Sequence, residues 1–423
     1  MNIVLFVLFC SAVCNGQPIQ NATSTTVTPA SGQETNTSRV RNRLTEAIGN
    51  FSIEFLFKTS VLQVPGQNMI ISPITVWTAL AVIAEGASDD TKTEIIRALR
   101  LSRNQTATRE NFGDIAKWLT VNTKTVEIAK FNGIFVDKLR LPLPEFQSTS
   151  KIYYDTDTVA LNLSNPVVTA DLLNRVISNF THGRISSIVQ SDNLQNTPMV
   201  LASALYFKGQ WTVPFNTTST SKQPFYDSNG TQIGEVNMMY NRAIYPFSNI
   251  KWLQARVIEL PYGEQNRLSM LVMLPNHGVS LESMFSNFKN VHLDSFFEEL
   301  RLSKEEFSED EVDCFIPRFK IKSDLDLTEV LKQQMGVQQL FDMSKARLPK
   351  ISHTPLYVSK LVHKAEIEVT EEGTTASAVT VAEFSNRIGV VRFEANRPFT
   401  YMIVERLTNT IVFGGFYRQP SLY

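Results

Sequence analysis

The sequence predicts an α+β protein forming one folding unit, with strands and helices interleaved along the chain. Three observations lead there. The chain has 423 residues, 43% of them hydrophobic, and its 27 phenylalanines can fill a core larger than a small domain holds. Apolar stretches with helical spacing and short, wholly apolar runs alternate along its length without an internal repeat. Residues 374–382, finally, are an uncharged run of Thr, Ala, Ser and Val alone. That is a strand composition without the large side chains that found a core.

The first residues stand apart from this unit. Residues 1–16 (MNIVLFVLFCSAVCNG) carry an apolar run at 3–9 followed by small residues, the pattern of a secretory signal peptide and too short to span a bilayer. Residues 17–43 are rich in Ser, Thr, Asn and Gln and are expected to be a disordered leader, since so little apolar surface cannot offset the entropy of ordering. Cys10 and Cys14 would leave with the signal, so Cys314 has no partner for an intramolecular disulfide and reads as a small buried hydrophobe. Secretion gives meaning to eight Asn-X-Ser/Thr sequons, at Asn21, Asn36, Asn50, Asn104, Asn162, Asn179, Asn216 and Asn229. Nothing in the formal net charge of −1 argues for nucleic acid or an anionic membrane, and neither is expected as a partner. No other stretch approaches the ~20 apolar residues of a membrane helix.

The elements follow in order. Leu44, Ile48, Phe51 and Phe55 fall on one helical face. Residues 68–72 read as a buried strand, and Ser72-Pro73 is a helix start. The helix 74–84 is apolar nearly all round, which requires burial, and Glu85-Gly86-Ala87 stops it. A short amphipathic helix covers 91–99. Residues 131–136 and 205–211 are strands, while 258–262 and 268–275 are expected to pair. Residues 315–319 form another strand, in which Pro317 suits an edge or a bulge. Two buried strands, 401–404 and 410–413, close the unit.

Residues 371–399 (EEGTTASAVTVAEFSNRIGVVRFEANRPF) are what the other elements surround. Glu371-Glu372-Gly373 punctuates a turn. If the next residues were a strand, one face would carry Thr374, Ala376, Ala378 and Thr380, and the other Thr375, Ser377, Val379 and Val381. Such a strand is suited to being accepted by a sheet. The run then turns polar and reaches Asn386-Arg387-Ile388-Gly389, an exposed loop with a basic residue before small or branched ones.

This segment resembles the reactive-centre loop of serpins, the serine protease inhibitors that trap their target by inserting this loop into a sheet. Both the hinge from Glu371 to Thr374 and the trailing Phe393-Glu394-Ala395-Asn396-Arg397-Pro398-Phe399 match family signatures. In the family the scissile residue is the seventeenth from the first hinge acid and lies eleven before the proline of the trailing motif; both counts reach Arg387. Further similarity lies in Asn-x-x-x-Ser-Pro at 68–73, Gly-Ala-x-x-x-Thr at 86–91, and residues 174–189, which resemble the family's helix across the main sheet. The resemblance covers a domain of residues 44–420, with the reactive-centre loop at about 373–392.

The resemblance implies a serpin fold, with one dominant central β-sheet, further sheets, surrounding helices and an exposed reactive-centre loop. It also implies a suicide-substrate inhibitor of an Arg-specific, trypsin-like serine protease, with Arg387 and Ile388 as the reactive site. The loop hinge would comprise Glu371, Glu372, Gly373, Thr374, Ala376, Ala378 and Thr380. It also implies two support sites. A "shutter", where the sheet opens, would comprise Ser72, Thr75, Ser203 and His363; Ser203 departs from the family's usual Asn. A "breach", where insertion begins, would comprise Trp211, Arg318 and Glu371, with Arg318 and Glu371 forming a charge-assisted pair. A non-inhibitory serpin, acting as carrier, chaperone or storage protein, is the alternative, although such relatives typically break the hinge with charged or bulky residues.

No enzyme is expected. There is no Gly-x-Ser-x-Gly elbow or other catalytic motif, and the five histidines (182, 277, 292, 353 and 363) are scattered without metal-ligand spacing. Neither a cofactor nor a metal is implied, and residues 109–119 hold too few basic side chains for a polyanion site. The expected protein is a monomer.

Overall fold

The computed structural model describes residues 43–423 apart from 103, 182, 196, 291–292, 308–309 and 374–389. The signal, the leader up to residue 42, Asn21, Asn36 and the loop residues Thr374, Ala376, Ala378, Thr380, Arg387 and Ile388 therefore lie outside the described residues. The chain opens with α1 (Arg43–Leu62), β1 (Met69–Ile71), α2 (Pro73–Gly86), α3 (Asp89–Leu99), α4 (Gln105–Trp118), β2 (Val126–Asp137), α5 (Pro144–Tyr154), β3 (Asp157–Leu161), α6 (Pro166–Phe180) and β4 (Met199–Gly209). It continues through β5 (Ser221–Tyr226), β6 (Gln232–Ala243), β7 (Phe247–Ile250), β8 (Ala255–Tyr262), β9 (Leu268–Pro275), α7 (Leu281–Ser286), α8 (Leu293–Glu306), β10 (Val312–Pro317) and β11 (Phe319–Asp326). The last strands are β12 (Lys360–Val369), β13 (Val391–Glu394), β14 (Phe399–Glu405) and β15 (Thr410–Tyr417).

Three sheets result: a six-stranded one in the order β1-β15-β14-β9-β8-β7, a four-stranded one β13-β10-β6-β5, and a five-stranded one β11-β12-β4-β2-β3. The five-stranded sheet carries the hinge. Side-chain alternation along β4 explains its place between two cores. Leu201, Leu205 and Phe207 join the main core, whereas Val200, Ala202 and Ala204 join a second cluster with Leu173 and Ile177 of α6. Every residue of α2 is buried, as its all-round apolar sequence requires. Among the described residues no helix is long and apolar enough to cross a membrane.

Several boundaries differ from the sequence reading. α1 starts at Arg43, the last residue assigned to the leader. The helix expected at 174–189 lies at Pro166–Phe180 instead. Pro166 occupies the first turn, where its missing N–H costs nothing, and Gly183 at φ +76° turns the chain away afterwards. Residues 188 and 189 are not helical because their N–H groups donate to the Asn174 side chain, at 2.8 and 3.0 Å. The single strand expected at 315–319 is two strands in different sheets, parted at Arg318. Pro317 ends β10, which lies between β13 and β6 and is not an edge.

Candidate functional site

The hinge strand β12 lies parallel to β4, with registered pairs from Lys360↔Val200 to Glu366↔Tyr206. Beyond that pair β12 remains bonded to β11 as far as Val369, and β4 to β2 as far as Gly209. The two strands thus part like a fork at their upper end, and no registered pair joins residues 367–369 to 207–209.

The middle of this seam is built on the inward residues of both strands. His363 and Ser203 are direct partners across it, and both are fully buried. His363 Nε2 accepts the backbone N–H of Ser72, at 3.0 Å. A neutral imidazole accepting at Nε2 carries its proton on Nδ1, so Nδ1–H donates to Ser203 Oγ at 2.8 Å. Burial pushes the imidazole down to about 3, which keeps it neutral. Thr75 Oγ1 donates to the Ser72 carbonyl at 3.0 Å and locks the start of α2 beneath the seam. Ser72 Oγ itself is buried without a hydrogen-bond partner. The structure therefore brings Ser72, Thr75, Ser203 and His363 together, with the Ser72 backbone rather than its hydroxyl as the working group. Ser203 reaches His363 directly although it is shorter than Asn.

The fork is filled by Trp211. Its indole N–H donates to the Thr370 carbonyl at 2.9 Å, while the ring stacks on Tyr262 at 4.3 Å and meets Phe215 edge-on. Trp211 and Phe215 donate their backbone N–H groups to the carbonyls of Glu372 and Glu371, at 3.2 and 2.7 Å. The buried Glu371 side chain accepts from Thr220 Oγ1 at 2.6 Å and faces Arg318 at 3.7 Å. Trp211, Arg318 and Glu371 are thus neighbours, but the ion pair is longer than a hydrogen bond and the Thr220 hydroxyl is the closer partner.

Glycine is required at 373. Its φ is +103°, and a Cβ there would lie 2.3 Å from the Gly209 carbonyl oxygen and 2.5 Å from the Trp211 nitrogen. This turn lets Gly373 bridge to Gln210 and cross the upper end of β4. Glu372, Gly373 and Thr370 close a tight hairpin in which Gly373 N–H donates to the Thr370 carbonyl at 3.1 Å.

The sequence marks Tyr262 and Phe215 only as parts of strand segments, with no role in the site, and does not mark Thr220 at all. They come from segments distant in sequence, and nothing in their local pattern distinguishes them from ordinary strand and loop residues. Of the sequons, Asn104, Asn162, Asn179 and Asn229 are exposed, and Asn216 is half-buried. Asn50 is also half-buried, inside α1 beside the buried Phe51 and Ser52. Cys314 is a free, buried thiol. Among the described residues no group of three or more His, Cys, Asp or Glu side chains is placed to hold a metal ion.

A sheet with a fork at one end, a glycine hinge and a buried His seam defines a class, and comparison with known proteins identifies it. The Serpin (serine protease inhibitor) family model matches residues 46–420. Human Serpin B9 is 30% identical over 386 residues, covering 89% of this chain and 99% of that protein. Leukocyte elastase inhibitor of Bos taurus is 32% identical over 385 residues, covering 89% and 100%. The solved structure of human thyroxine-binding globulin matches with a TM-score of 0.79 at 26% identity, covering 90% of this chain and 99% of that one. This chain belongs to the serpin family.

Proposed function

We propose that this serpin is a secreted inhibitor of trypsin-like serine proteases that is cleaved after Arg387. The observation that carries the reading is the hinge: β4 and β12 pair with each other only as far as Glu366↔Tyr206, they diverge above it around Trp211, and the chain leaving Gly373 is small and uncharged in sequence through Thr380. The acidic pocket of a trypsin-like protease accepts the Arg387 side chain. The protease serine oxygen then attacks the Arg387 carbonyl carbon, the bond to Ile388 breaks, and the Ile388 nitrogen departs with a proton. The freed segment enters the seam between β4 and β12, exchanging one ladder for two and burying apolar surface. The protease is carried along as the acyl ester and distorted before water can complete hydrolysis. The uncut state is kinetically trapped.

Residues after the scissile bond suggest the target. Arg387-Ile388-Gly389-Val390 resembles the Arg-Ile junction at which trypsin-like zymogens are activated, so the protease inhibited is one that activates another protease or proenzyme. Such enzymes operate in extracellular cascades of clotting, complement-like or melanisation type. The signal peptide reading and the exposed sequons support secretion and glycosylation. Inhibition rates of cascade proteases and of a digestive trypsin should be measured on wild type and Ile388→Ser. Rates that do not fall for the cascade enzymes remove this part of the proposal.

The carrier reading has one observation in its favour, the similarity to thyroxine-binding globulin. Mixing with trypsin separates the two. A denaturing-gel adduct of higher mass marks an inhibitor; clean cleavage without adduct marks a substrate and ends the inhibitory reading.

A further inference from the structure

Beyond β15 the chain crosses to the fork. Pro420 packs on Gly234 of β6, where a Cβ would lie 2.5 Å from the proline ring. Tyr423 then touches three elements at once. Its carbonyl oxygen accepts from Asn237 Nδ2 of β6 at 2.9 Å and from Arg318 Nε at 2.6 Å. Its hydroxyl donates to Glu368 of β12. Its ring lies under two cations, Arg318 at 5.9 Å and Lys320 of β11 at 5.8 Å.

Two of these contacts bear on the hinge. Glu368 is the last but one residue of β12, in the part that has left β4. Lys320 bonds the same carboxylate at 2.8 Å. Burial favours the neutral acid there, but the hydrogen bonds from Lys320 and Tyr423 outweigh it and hold the carboxyl below its ordinary range. Arg318, in turn, has its Nε committed to Tyr423 while another nitrogen of the same planar guanidinium faces Glu371 at 3.7 Å. A guanidinium is rigid, so fixing one edge aims the other.

We propose that Tyr423 is a positioning residue for loop insertion: it aims Arg318 at Glu371 and pins the free end of β12, so that the pivot is set before the loop is cut. This rests on the inhibitory reading. With the pivot held, the hinge enters the seam in register and early; with it loose, entry starts late and water reaches the acyl ester first. Tyr423 does not touch the protease or the scissile bond, so cleavage of the loop should be unaffected.

The test compares wild type, Tyr423→Phe and a chain lacking residues 421–423, each mixed with trypsin. The readouts are the rate of loop cleavage and the number of inhibitor molecules consumed per protease trapped. The shortened chain should consume more inhibitor by about tenfold, roughly the worth of one charge-assisted hydrogen bond. Tyr423→Phe, which keeps the ring and the carbonyl, should fall between, and cleavage rates should be equal in all three. A general loss of stability would not raise consumption at constant cleavage rate. Hydrogen exchange at the amides of Trp211 and Phe215 in uncut protein gives a readout independent of inhibition, and exchange should quicken in the order wild type, Tyr423→Phe, shortened chain. Unchanged exchange in both variants overturns the proposal, as does unchanged consumption in both. If wild type itself forms no adduct, the inhibitory reading fails, and the exchange rates still decide whether Tyr423 holds the pivot. Should the shortened chain not fold, Tyr423→Phe alone decides by the same two readouts.

Discussion

Ser203 Oγ lies 2.8 Å from His363 Nδ1, and the two residues are direct partners in the parallel pairing of β4 with β12. Each strand contributes one half of a hydrogen bond buried in the seam between them. Ser203→Ala leaves the imidazole N–H without an acceptor, at a cost of about 1–3 kcal/mol. Its urea midpoint should fall accordingly with the slope unchanged. A midpoint equal to wild type would mean that another acceptor replaces the hydroxyl.

The same histidine predicts a pH dependence. His363 is held at about 3 in the folded protein against an ordinary 6.5, so its folded value is depressed. Between these values the unfolded chain binds a proton that the folded chain does not. The stability linked to this group is complete above 6.5 and is lost as pH falls toward 3, by up to about 1.4 kcal/mol per pH unit. Urea unfolding from about pH 7 to about pH 5 should show the loss. His363→Gln should show a flatter profile, and parallel profiles would exclude His363 as the source.

Gly373→Ala places a Cβ against the Gly209 carbonyl and Trp211 nitrogen at a φ of +103°. The backbone strain alone is about 1–3 kcal/mol, and the clash forces the hairpin off β4. The variant should be less heat-stable and should expose Trp211, read as a shift of its fluorescence to longer wavelength. Unaltered emission would show that the turn accommodates the methyl group.

Arg387→Ala should abolish inhibition of trypsin-like enzymes while leaving unfolding unchanged, because the acidic pocket loses its cation. Arg392 is a poor substitute. It lies in β13, stacks over Phe315 at 4.3 Å and pairs with Glu394 at 3.0 Å. Adduct formation at the wild-type rate by Arg387→Ala would move the scissile bond elsewhere.

Under the proposed insertion, Thr374→Arg and Ala378→Asp each place a charge on the face that would turn inward. Burying it costs several kcal/mol, so both variants should be cut by trypsin without forming adduct. Neither should gain the heat resistance expected of cleaved wild type. Efficient adduct formation by either would reverse the assignment of faces.

Residue sequence alone determined the pieces and much of their polarity. The uniformly apolar α2, the paired strands β8 and β9 and the turn at Gly373 were all legible, because periodicity and turn chemistry are local properties of the backbone. Only the tertiary structure decided which pieces meet. Residues 315–319 look like one strand, yet the chain changes sheets at Arg318, where the backbone N–H bonds the carbonyl of Asn237. Glu371 was expected to rely on Arg318, but Thr220 lies closer to it, and Tyr423 stands behind Arg318. No local pattern encodes those neighbours. Side-chain direction follows from a residue's own backbone, whereas a partner across a fork depends on the register and packing of every strand between them.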